Sequence, residues 1–122
     1  SKAARGRVVD NLSEHVDIMP TVLDYIGAQI PLQCDGRSLR EFAEGATPST
    51  WRDEVHWEYD FRSISDDSVD KHFGLSIDEL GLAVTRTKTQ KYIHFSALPP
   101  LFYDVAADPF ELVNLAGEPA RA

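Results

Sequence analysis

The sequence is poor in the residues that mark several common classes of protein. It holds one cysteine, Cys34, which excludes an internal disulfide and leaves nothing that favours an oxidising compartment. Its seven glycines form neither a phosphate-binding loop nor a dinucleotide-binding fingerprint. The longest stretch without a formal charge, residues 92–103, is interrupted by prolines and is too short for a transmembrane helix.

Basic residues are also scarce. The chain has 12 lysines and arginines against 20 aspartates and glutamates, which gives a formal net charge of -8 at pH 7. Such a surface repels phosphate backbones and anionic lipids, so we expect neither nucleic acid nor a membrane as a partner. No apolar stretch follows the charged first residues, so they do not form a signal peptide. The compartment stays open, with the cytoplasm favoured.

The length and composition are those of one globular domain. With 122 residues, 43% of them hydrophobic, the chain can bury a core without a disulfide or a structural metal. We therefore treat residues 1–122 as a single domain at this stage.

The first third of the chain predicts a helix with one apolar face. Ile18, Val22 and Ile26 recur at the spacing of such a face. We expect Asp17 or Ser13 to cap the start of this helix and Gly27 to end it.

Two shorter elements flank that helix in the sequence. A strand is predicted over residues 7–12, which contain adjacent valines. A second helix is predicted over residues 39–44, with Ser38 as its cap and Glu41 completing a capping box.

Residues 54–61 alternate strictly between polar and apolar side chains, which predicts a half-buried strand. We expect the apolar members of this strand to point inward against the first helix. They are Val55, Trp57, Tyr59 and Phe61. The polar residues 63–70 predict a surface loop, and residues 73–81 predict a helical turn.

The remaining residues predict a hairpin and a closing segment. Strands are predicted over 82–87 and 91–95, with a further short strand at 102–103. Asp108 is expected to cap a final helical turn that begins with Pro109. A helix followed by strands in meander order predicts an α+β fold, a small antiparallel β-sheet with a packed helix.

Candidate catalytic side chains are few. A reactive cysteine needs a nearby positive charge, and Asp35 beside Cys34 opposes formation of the thiolate. A cysteine without a catalytic role is therefore favoured.

A metal site on one strand is the second candidate. His56, Glu58 and Asp60 project from the same face at two-residue spacing, so that two of them can share an ion. Acidic strand faces are common on protein surfaces, and a solvated polar face is the favoured interpretation.

Three segments, residues 15–27, 35–39 and 85–115, form a pattern in a fixed order along the chain. Residues 15–27 contain Asp-x-x-Pro-Thr-x-Leu, and residues 35–39 read Asp-Gly-Arg-Ser-Leu. Residues 101–104 read Leu-Phe-Tyr-Asp, and residues 108–115 read Asp-Pro-x-Glu-x-x-Asn-Leu. Together these resemble the C-terminal portion of sulfatases, members of the alkaline-phosphatase superfamily. Residues 51–62 are most similar to the branch of phosphonate monoester hydrolases and related arylsulfatases.

The resemblance also implies what this chain does not carry. Family members hydrolyse sulfate or phosphonate esters with a divalent metal and a formylglycine made from Cys/Ser-x-Pro/Ala-x-Arg. Cys34 does not match that pattern, because Gly36 stands at the Pro/Ala position and Ser38 at the Arg position. The family's nucleophile and metal ligands lie in a catalytic domain that would precede Ser1. We therefore assign no catalytic residue, metal ligand or cofactor to this chain and expect it to be inactive alone.

Two functions remain open at this stage. The first is a C-terminal structural subdomain of a sulfatase-type hydrolase, whose partner is its own catalytic domain. The second is a binding or oligomerisation module, in which residues 54–62 and the loop at 63–70 contact another subunit of a homo-oligomer or shape the mouth of the pocket. His56, Tyr59 and Arg62 are the candidate site residues for that module.

Overall fold

The regular structure before residue 54 is helical, and that of the later residues is mostly β-strand. The computed structural model describes residues 5–62 and 68–117. Two units, Ser1–Asp53 and Glu54–Ala122, each form most of their contacts internally. The predicted α+β fold with a small antiparallel sheet is confirmed. No helix in the described ranges combines the length and apolar character needed to cross a membrane.

The main helix of the first unit, α1, spans Ile18–Tyr25 and ends as predicted. Gly27 adopts the left-handed conformation, with φ of 71°, which a glycine enters without steric cost. The N–H of Ala28 then reaches back to the carbonyl of Leu23 at 2.9 Å, which satisfies an orphan carbonyl of the last turn. Pro20 lies in the first turn and is fully buried.

The second helix, α2, spans Arg40–Ala43 and is shorter than predicted at both ends. The Ser38 hydroxyl accepts a hydrogen bond from the N–H of Arg40 at 3.2 Å. The residue at the cap position is Leu39, however, and no side chain caps the helix, so the cap and the capping box predicted from Ser38 and Glu41 are wrong. The same hydroxyl donates to Asp24 Oδ2 at 2.6 Å, which joins α2 to α1.

The strand predicted over residues 7–12 is wrong, because this segment has no regular structure. Its polar groups bond to a loop instead of to another strand. The Arg7 guanidinium donates to the carbonyl of Ala46 and to Thr47 Oγ1, and the Leu12 carbonyl accepts from Trp51 Nε1 at 2.7 Å. Strand propensity alone does not form a strand without a neighbour to pair with.

Asp17 is not the cap of α1, although it stands at the position before it. Its carboxylate is fully buried and turned toward the rest of the unit. Oδ1 accepts from the N–H of Arg37 at 2.8 Å, and Oδ2 accepts from the N–H of Glu14 at 2.9 Å. Arg52 binds both oxygens, at 2.6 and 2.7 Å. We call these four residues the Asp17 cluster.

The charge of Asp17 is stabilised by these partners. Burial alone would raise the pKa of Asp17, but the hydrogen bonds from Arg52 and from the backbone of Arg37 and Glu14 outweigh it and hold the pKa below its ordinary value. A second carboxylate, Glu14 Oε2, lies 2.7 Å from Arg52 Nη1. A buried pair with this many partners is costly to break from either side.

Gly36 brings the loop before α2 against the start of α1. A Cβ at this position would lie 2.0 Å from the carbonyl oxygen of Val16, so only glycine fits. Thr21 completes the junction, because its hydroxyl donates to the Asp17 carbonyl at 2.6 Å and accepts from the N–H of Leu39 at 2.8 Å.

The second unit is built on a four-stranded antiparallel sheet in the order β1-β2-β3-β4. The strands are β1 (Glu54–Asp60), β2 (Gly81–Thr87), β3 (Gln90–Phe95) and β4 (Leu101–Asp104). The predicted hairpin of β2 and β3 is confirmed, and its connection is the dipeptide Lys88-Thr89. Thr87 Oγ1 accepts from the N–H groups of both Thr89 and Gln90, which tightens the turn.

The burial predicted for β1 is wrong for most of the strand. Val55 is buried, but Trp57 and Phe61 are each 43% exposed and Tyr59 is 59% exposed. The stripe of α1 is exposed as well, and Ile18, Met19, Val22 and Ile26 all keep more than half of their surface open to solvent. The predicted strand is therefore confirmed, whereas the burial expected for its apolar side chains is not found among the described residues.

The loop predicted over residues 63–70 is only partly testable. Residues 63–67 lie outside the described part of the chain. Residues 68–70 begin a helix, α3 (Ser68–Phe73), so the loop prediction is wrong there. The helical turn predicted within 73–81 is confirmed by a 3₁₀ turn at Ile77–Glu79.

The last described segment is a loop and not the predicted helical turn. Asp108 does not cap a helix. Its Oδ2 accepts from the N–H of Val113 at 2.9 Å across the loop. Asn114 Oδ1 accepts from the N–H of Phe102 at 2.9 Å, and the N–H of Leu115 donates to the Phe102 carbonyl at 2.8 Å. The segment therefore satisfies the outer edge of β4, which explains why it stays irregular.

Gly36→Ala is expected to destabilise the first unit by about 1–3 kcal/mol or more, because the added methyl group meets backbone that cannot move aside. Urea unfolding followed by tryptophan fluorescence measures this. Gly117→Ala is the matched control, because nothing lies within 4 Å of its Cβ position. Equal stability of the two variants would contradict the close approach.

Arg52→Leu is expected to lower the free energy of unfolding by about 3–5 kcal/mol at pH 7, because it leaves a buried carboxylate without its cation.

The contribution of Asp17 to stability depends on pH with a defined sign. A lowered pKa for Asp17 stabilises the fold at pH values above the ordinary value of about 3.9, and this contribution is lost as the pH falls through the folded-state pKa.

Asp17→Asn should therefore reduce the loss of unfolding free energy between pH 7 and pH 3 relative to the parent chain. Asp35→Asn, at an exposed position, is the control and should leave that loss unchanged. An identical acid dependence in all three proteins would show that Asp17 is not held as the charged form.

Candidate functional site

An apolar pocket of about 140 Å³ lies in the second unit, beside the end of β1. Its walls are almost entirely apolar side chains. They are Phe61, Phe73, Leu75, Leu80, Phe95 and Leu98, with Glu79 and Gly81 completing the lining. Leu80 is buried, whereas Phe73 and Leu98 are more than half exposed.

The single acidic residue of this pocket is committed to a local structural contact. Glu79 Oε2 accepts from the hydroxyl of Ser76 at 2.6 Å and from its N–H at 2.8 Å. The hydroxyl contributes most to lowering the pKa of Glu79 below its ordinary value. A carboxylate held in its charged form by a turn is poorly suited to general-acid chemistry.

The first unit contains a larger, more polar cavity of about 260 Å³. Its walls include Arg7, Asn11, Leu39, Phe42 and Trp51. Phe42 and Trp51 pack edge to face with ring centroids 4.8 Å apart. The guanidinium of Arg7 donates hydrogen bonds to the loop at 46–47, so its role in this wall is structural.

The three candidate residues of β1 do not form one cluster. Because side chains alternate along a strand, His56 and Tyr59 project from opposite faces of the sheet. His56 lies against Thr85 Oγ1 at 3.1 Å and Glu54 Oε1 at 3.2 Å. The Tyr59 ring packs on Phe61, with centroids 4.7 Å apart. Their role in a pocket or an interface stays a prediction.

Arg62, the third candidate, follows the end of β1 and pairs with the carboxylate of Asp60. Its N–H also donates to Asp60 Oδ1 at 2.9 Å, which turns the chain at that point. Asp60 is therefore paired with a cation, and no group of three His, Cys, Asp or Glu side chains that could hold a metal occurs within 5–62 and 68–117. The metal site considered for His56, Glu58 and Asp60 is not formed.

Cys34 lies in the loop before Gly36 and is a free, partly exposed thiol. Its surroundings do not fit a formylglycine site, since the residues that follow it depart from the Cys/Ser-x-Pro/Ala-x-Arg pattern. We therefore assign no step of a reaction to it.

Sequence reasoning missed two charged residues with defined partners. Arg52 binds Asp17 across 35 positions of sequence, a distance that no local pattern reports. Lys91 Nζ lies 2.7 Å from Glu111 Oε2 and 6.0 Å from the centre of the Trp57 ring. Glu111 has a positive φ of 56°, so the tail is held in a conformation unusual for a residue with a side chain. The Asp-Pro-x-Glu motif was the available signal for this contact.

The comparisons with known proteins agree on one family. The family model described as N-sulphoglucosamine sulphohydrolase, C-terminal, matches residues 1–122. The multifunctional alkaline phosphatase superfamily protein PehA of Trinickia caryophylli is 47% identical over 96% of this chain. An arylsulfatase of Clostridium perfringens is 36% identical over 93% of it. The chain spans 23% and 20% of the lengths of these two relatives.

A solved structure gives the same result for the fold. The phosphonate monoester hydrolase of Agrobacterium radiobacter is 43% identical and superposes with a TM-score of 0.84. The match covers 94% of this chain and 23% of the enzyme. The chain therefore belongs to the family of sulfatase C-terminal regions within the alkaline phosphatase superfamily, and it matches that region of sulfatases and of phosphonate monoester hydrolases.

Proposed function

We propose that the full-length protein hydrolyses sulfate or phosphonate monoesters, and that residues 1–122 support the fold of that enzyme without contacting the reacting atoms. The observation that carries the proposal is the 43% identity to a phosphonate monoester hydrolase over nearly the whole chain. The same chain matches an arylsulfatase, so both ester classes are candidate substrates.

The use of the motif residues supports a structural role. Asp17 accepts two backbone N–H groups in the first unit, and Gly36 permits a close backbone approach. Asp108 and Asn114 accept backbone N–H groups in the second unit. Each of these side chains is occupied by its own chain, so none is left to bind a substrate.

The cofactors belong, in this proposal, to the part of the enzyme outside residues 1–122. Cys34 does not fit the pattern that yields formylglycine, and the described residues hold no group of metal ligands. When bound elsewhere in the enzyme, the metal would stabilise negative charge on the ester oxygens. This chain's contribution would be to hold the catalytic part in place.

The partner that we propose for this role is the catalytic part of the same protein. The exposed stripe of α1 supports this, since contiguous apolar surface on a folded unit marks an interaction site. Ile18, Val22 and Ile26 are 56%, 53% and 70% exposed. Covering them would remove apolar surface from water, which favours association.

A chimera tests the proposal. Residues 1–122 are substituted for the matching segment of the Agrobacterium radiobacter enzyme, and kcat/KM is measured with an aryl phosphonate monoester and an aryl sulfate. We expect a folded enzyme that keeps its phosphonate monoesterase activity, because the motif contacts are all internal to the exchanged segment. Deletion of the same segment should abolish activity.

Two controls sharpen this test. The chimera carrying Gly36→Ala should lose both soluble expression and activity, since it differs from the first chimera at one residue but has a disrupted first unit. The 122-residue chain alone should show no turnover. Turnover by the isolated chain that survives EDTA and repurification would contradict the proposal, as would a folded chimera without activity.

A second candidate function, an assembly module, is favoured by the exposed aromatic face of β1. Trp57, Tyr59 and Phe61 remain on the surface beside polar residues with complementary charges. In this function the strand would contact another subunit or the mouth of the active-site pocket.

Alanine variants of the full-length enzyme separate the two candidates. If β1 contacts another subunit or the pocket mouth, His56→Ala and Arg62→Ala should change the oligomer mass or raise KM. Lys88→Ala, at the exposed β2–β3 turn, is the control. Unchanged kinetics and unchanged mass in both variants would remove the assembly function.

A further inference from the structure

The loop before α2 contains the dipeptide Asp35-Gly36, and its two residues are held very differently. The backbone of Gly36 lies so close to Val16 that a Cβ at position 36 would be 2.0 Å from the Val16 carbonyl oxygen. Asp35 is exposed, and no hydrogen bond or ion pair to another described residue holds its carboxylate. A packed backbone therefore lies next to a carboxyl group that is free to react.

An aspartate followed by glycine can react with its own backbone. The backbone nitrogen of Gly36 attacks Cγ of the protonated Asp35 carboxyl group, and the N–H proton leaves with the carboxyl hydroxyl as water. A five-membered succinimide closes. Addition of water then breaks one of the two bonds from the nitrogen to a carbonyl carbon. Breaking the bond to Cγ returns aspartate, and breaking the bond to the backbone carbonyl carbon gives isoaspartate.

The fold requires the residue that makes this reaction easiest. Glycine has no Cβ, so it leaves the attacking nitrogen less hindered than any other residue would. Only glycine fits beside Val16, so position 36 cannot be given a side chain that slows the reaction without losing the close approach. The susceptibility of Asp35 thus follows from the packing of the first unit.

The same packing opposes the reaction while the first unit is intact. Ring closure rotates the peptide group between Asp35 and Gly36 about the Cα–C bond of Asp35, since the peptide itself is planar and rigid. That rotation would move Gly36 away from Val16. It would also move the N–H of Arg37, which donates to Asp17 Oδ1 at 2.8 Å. Closure of the ring therefore requires the loop to open first.

We propose that Asp35 is a modification site at which isoaspartate forms, and that the Asp17 cluster sets the rate by holding the loop in place. The product makes the change permanent, because isoaspartate adds one methylene group to the main chain between residues 35 and 36. Arg37 would then no longer lie where its N–H meets Asp17. An enzyme that recognises this product is a carboxyl methyltransferase specific for isoaspartate, which methylates the free carboxylate.

Timed incubation of the full-length protein at neutral pH tests the proposal. Isoaspartate at position 35 is quantified after proteolysis by electron-transfer fragmentation, which distinguishes it from aspartate of equal mass. A synthetic peptide of residues 31–40 gives the rate without the fold. We expect the protein to react about tenfold or more slowly than the peptide, because only the open fraction of the loop reacts. Equal rates in protein and peptide would overturn the protection by the fold.

Two variants of Arg52 test control by the Asp17 cluster. Arg52→Leu leaves the buried Asp17 charge without its cation, so isoaspartate should form about tenfold or more faster than in the parent. Arg52→Lys keeps the charge but not the two-pronged contact, and its rate should lie between the two. If Arg52→Leu does not fold, it should react as fast as the peptide, and Arg52→Lys decides. A rate in Arg52→Lys equal to that of the parent would overturn this control.

Two further variants are the controls. Asp35→Glu should give no product, because a glutamate would have to close a six-membered ring, which forms much more slowly. Lys88→Ala, at the exposed β2–β3 turn, should react at the parental rate. Absence of isoaspartate at position 35 from both the peptide and Arg52→Leu would overturn the site itself.

The effect of the product on the fold is measured on aged samples. The isoaspartate-containing fraction of the parent protein should unfold at a lower urea concentration than fresh protein, whereas aged Asp35→Glu should not change. Equal midpoints for aged and fresh parent protein would overturn the loss of the Arg37 contact. None of these measurements needs a substrate, so their outcome does not depend on the proposed hydrolase.

Discussion

The first unit depends on one buried carboxylate. Asp17 collects two backbone N–H groups and a two-pronged arginine from three separate stretches of chain, at Glu14, Arg37 and Arg52. The burial of the charge would be prohibitive without all of these partners. The loop before α2 must therefore lie where Arg37 can reach Asp17, which in turn requires that residue 36 have no side chain. One electrostatic requirement thus fixes two loops and the start of α1.

In the second unit, side-chain contacts hold the tail against the sheet in a similar way. Asn114 occupies the N–H at the edge of β4, and Asp108 closes the loop that brings Asn114 there. Lys91 and Glu111 then join that loop to the sheet beside Trp57. The motif residues of this family are consequently fold-determining residues. Their presence identifies the family without locating its chemistry, because a fold does not by itself specify a reaction.

Patterns of local spacing predicted much of this fold. Gly27 correctly predicted where α1 stops, and the alternation of residues 54–61 correctly predicted β1. Both signals arise from the geometry of a single element. Asp17 was misassigned as a cap because its true partner, Arg52, is remote in sequence. The candidate site was less predictable. Alternation places His56 and Tyr59 on opposite faces, yet nothing in the strand reports which groups of other strands or of another subunit lie against them.

The exposed faces carry the remaining argument about function. A sheet with an apolar face is stable when a second layer covers that face, and a helix with an apolar stripe has the same requirement. In the described residues Trp57 and Tyr59 are exposed on the sheet, and Ile18 and Ile26 are exposed on α1. Sequence periodicity was therefore right about which side chains share a face, while burial depends on what is brought to that face. The chain spans about a fifth of the length of these relatives, and in the proposed function the catalytic part of the same protein would cover the exposed stripe of α1.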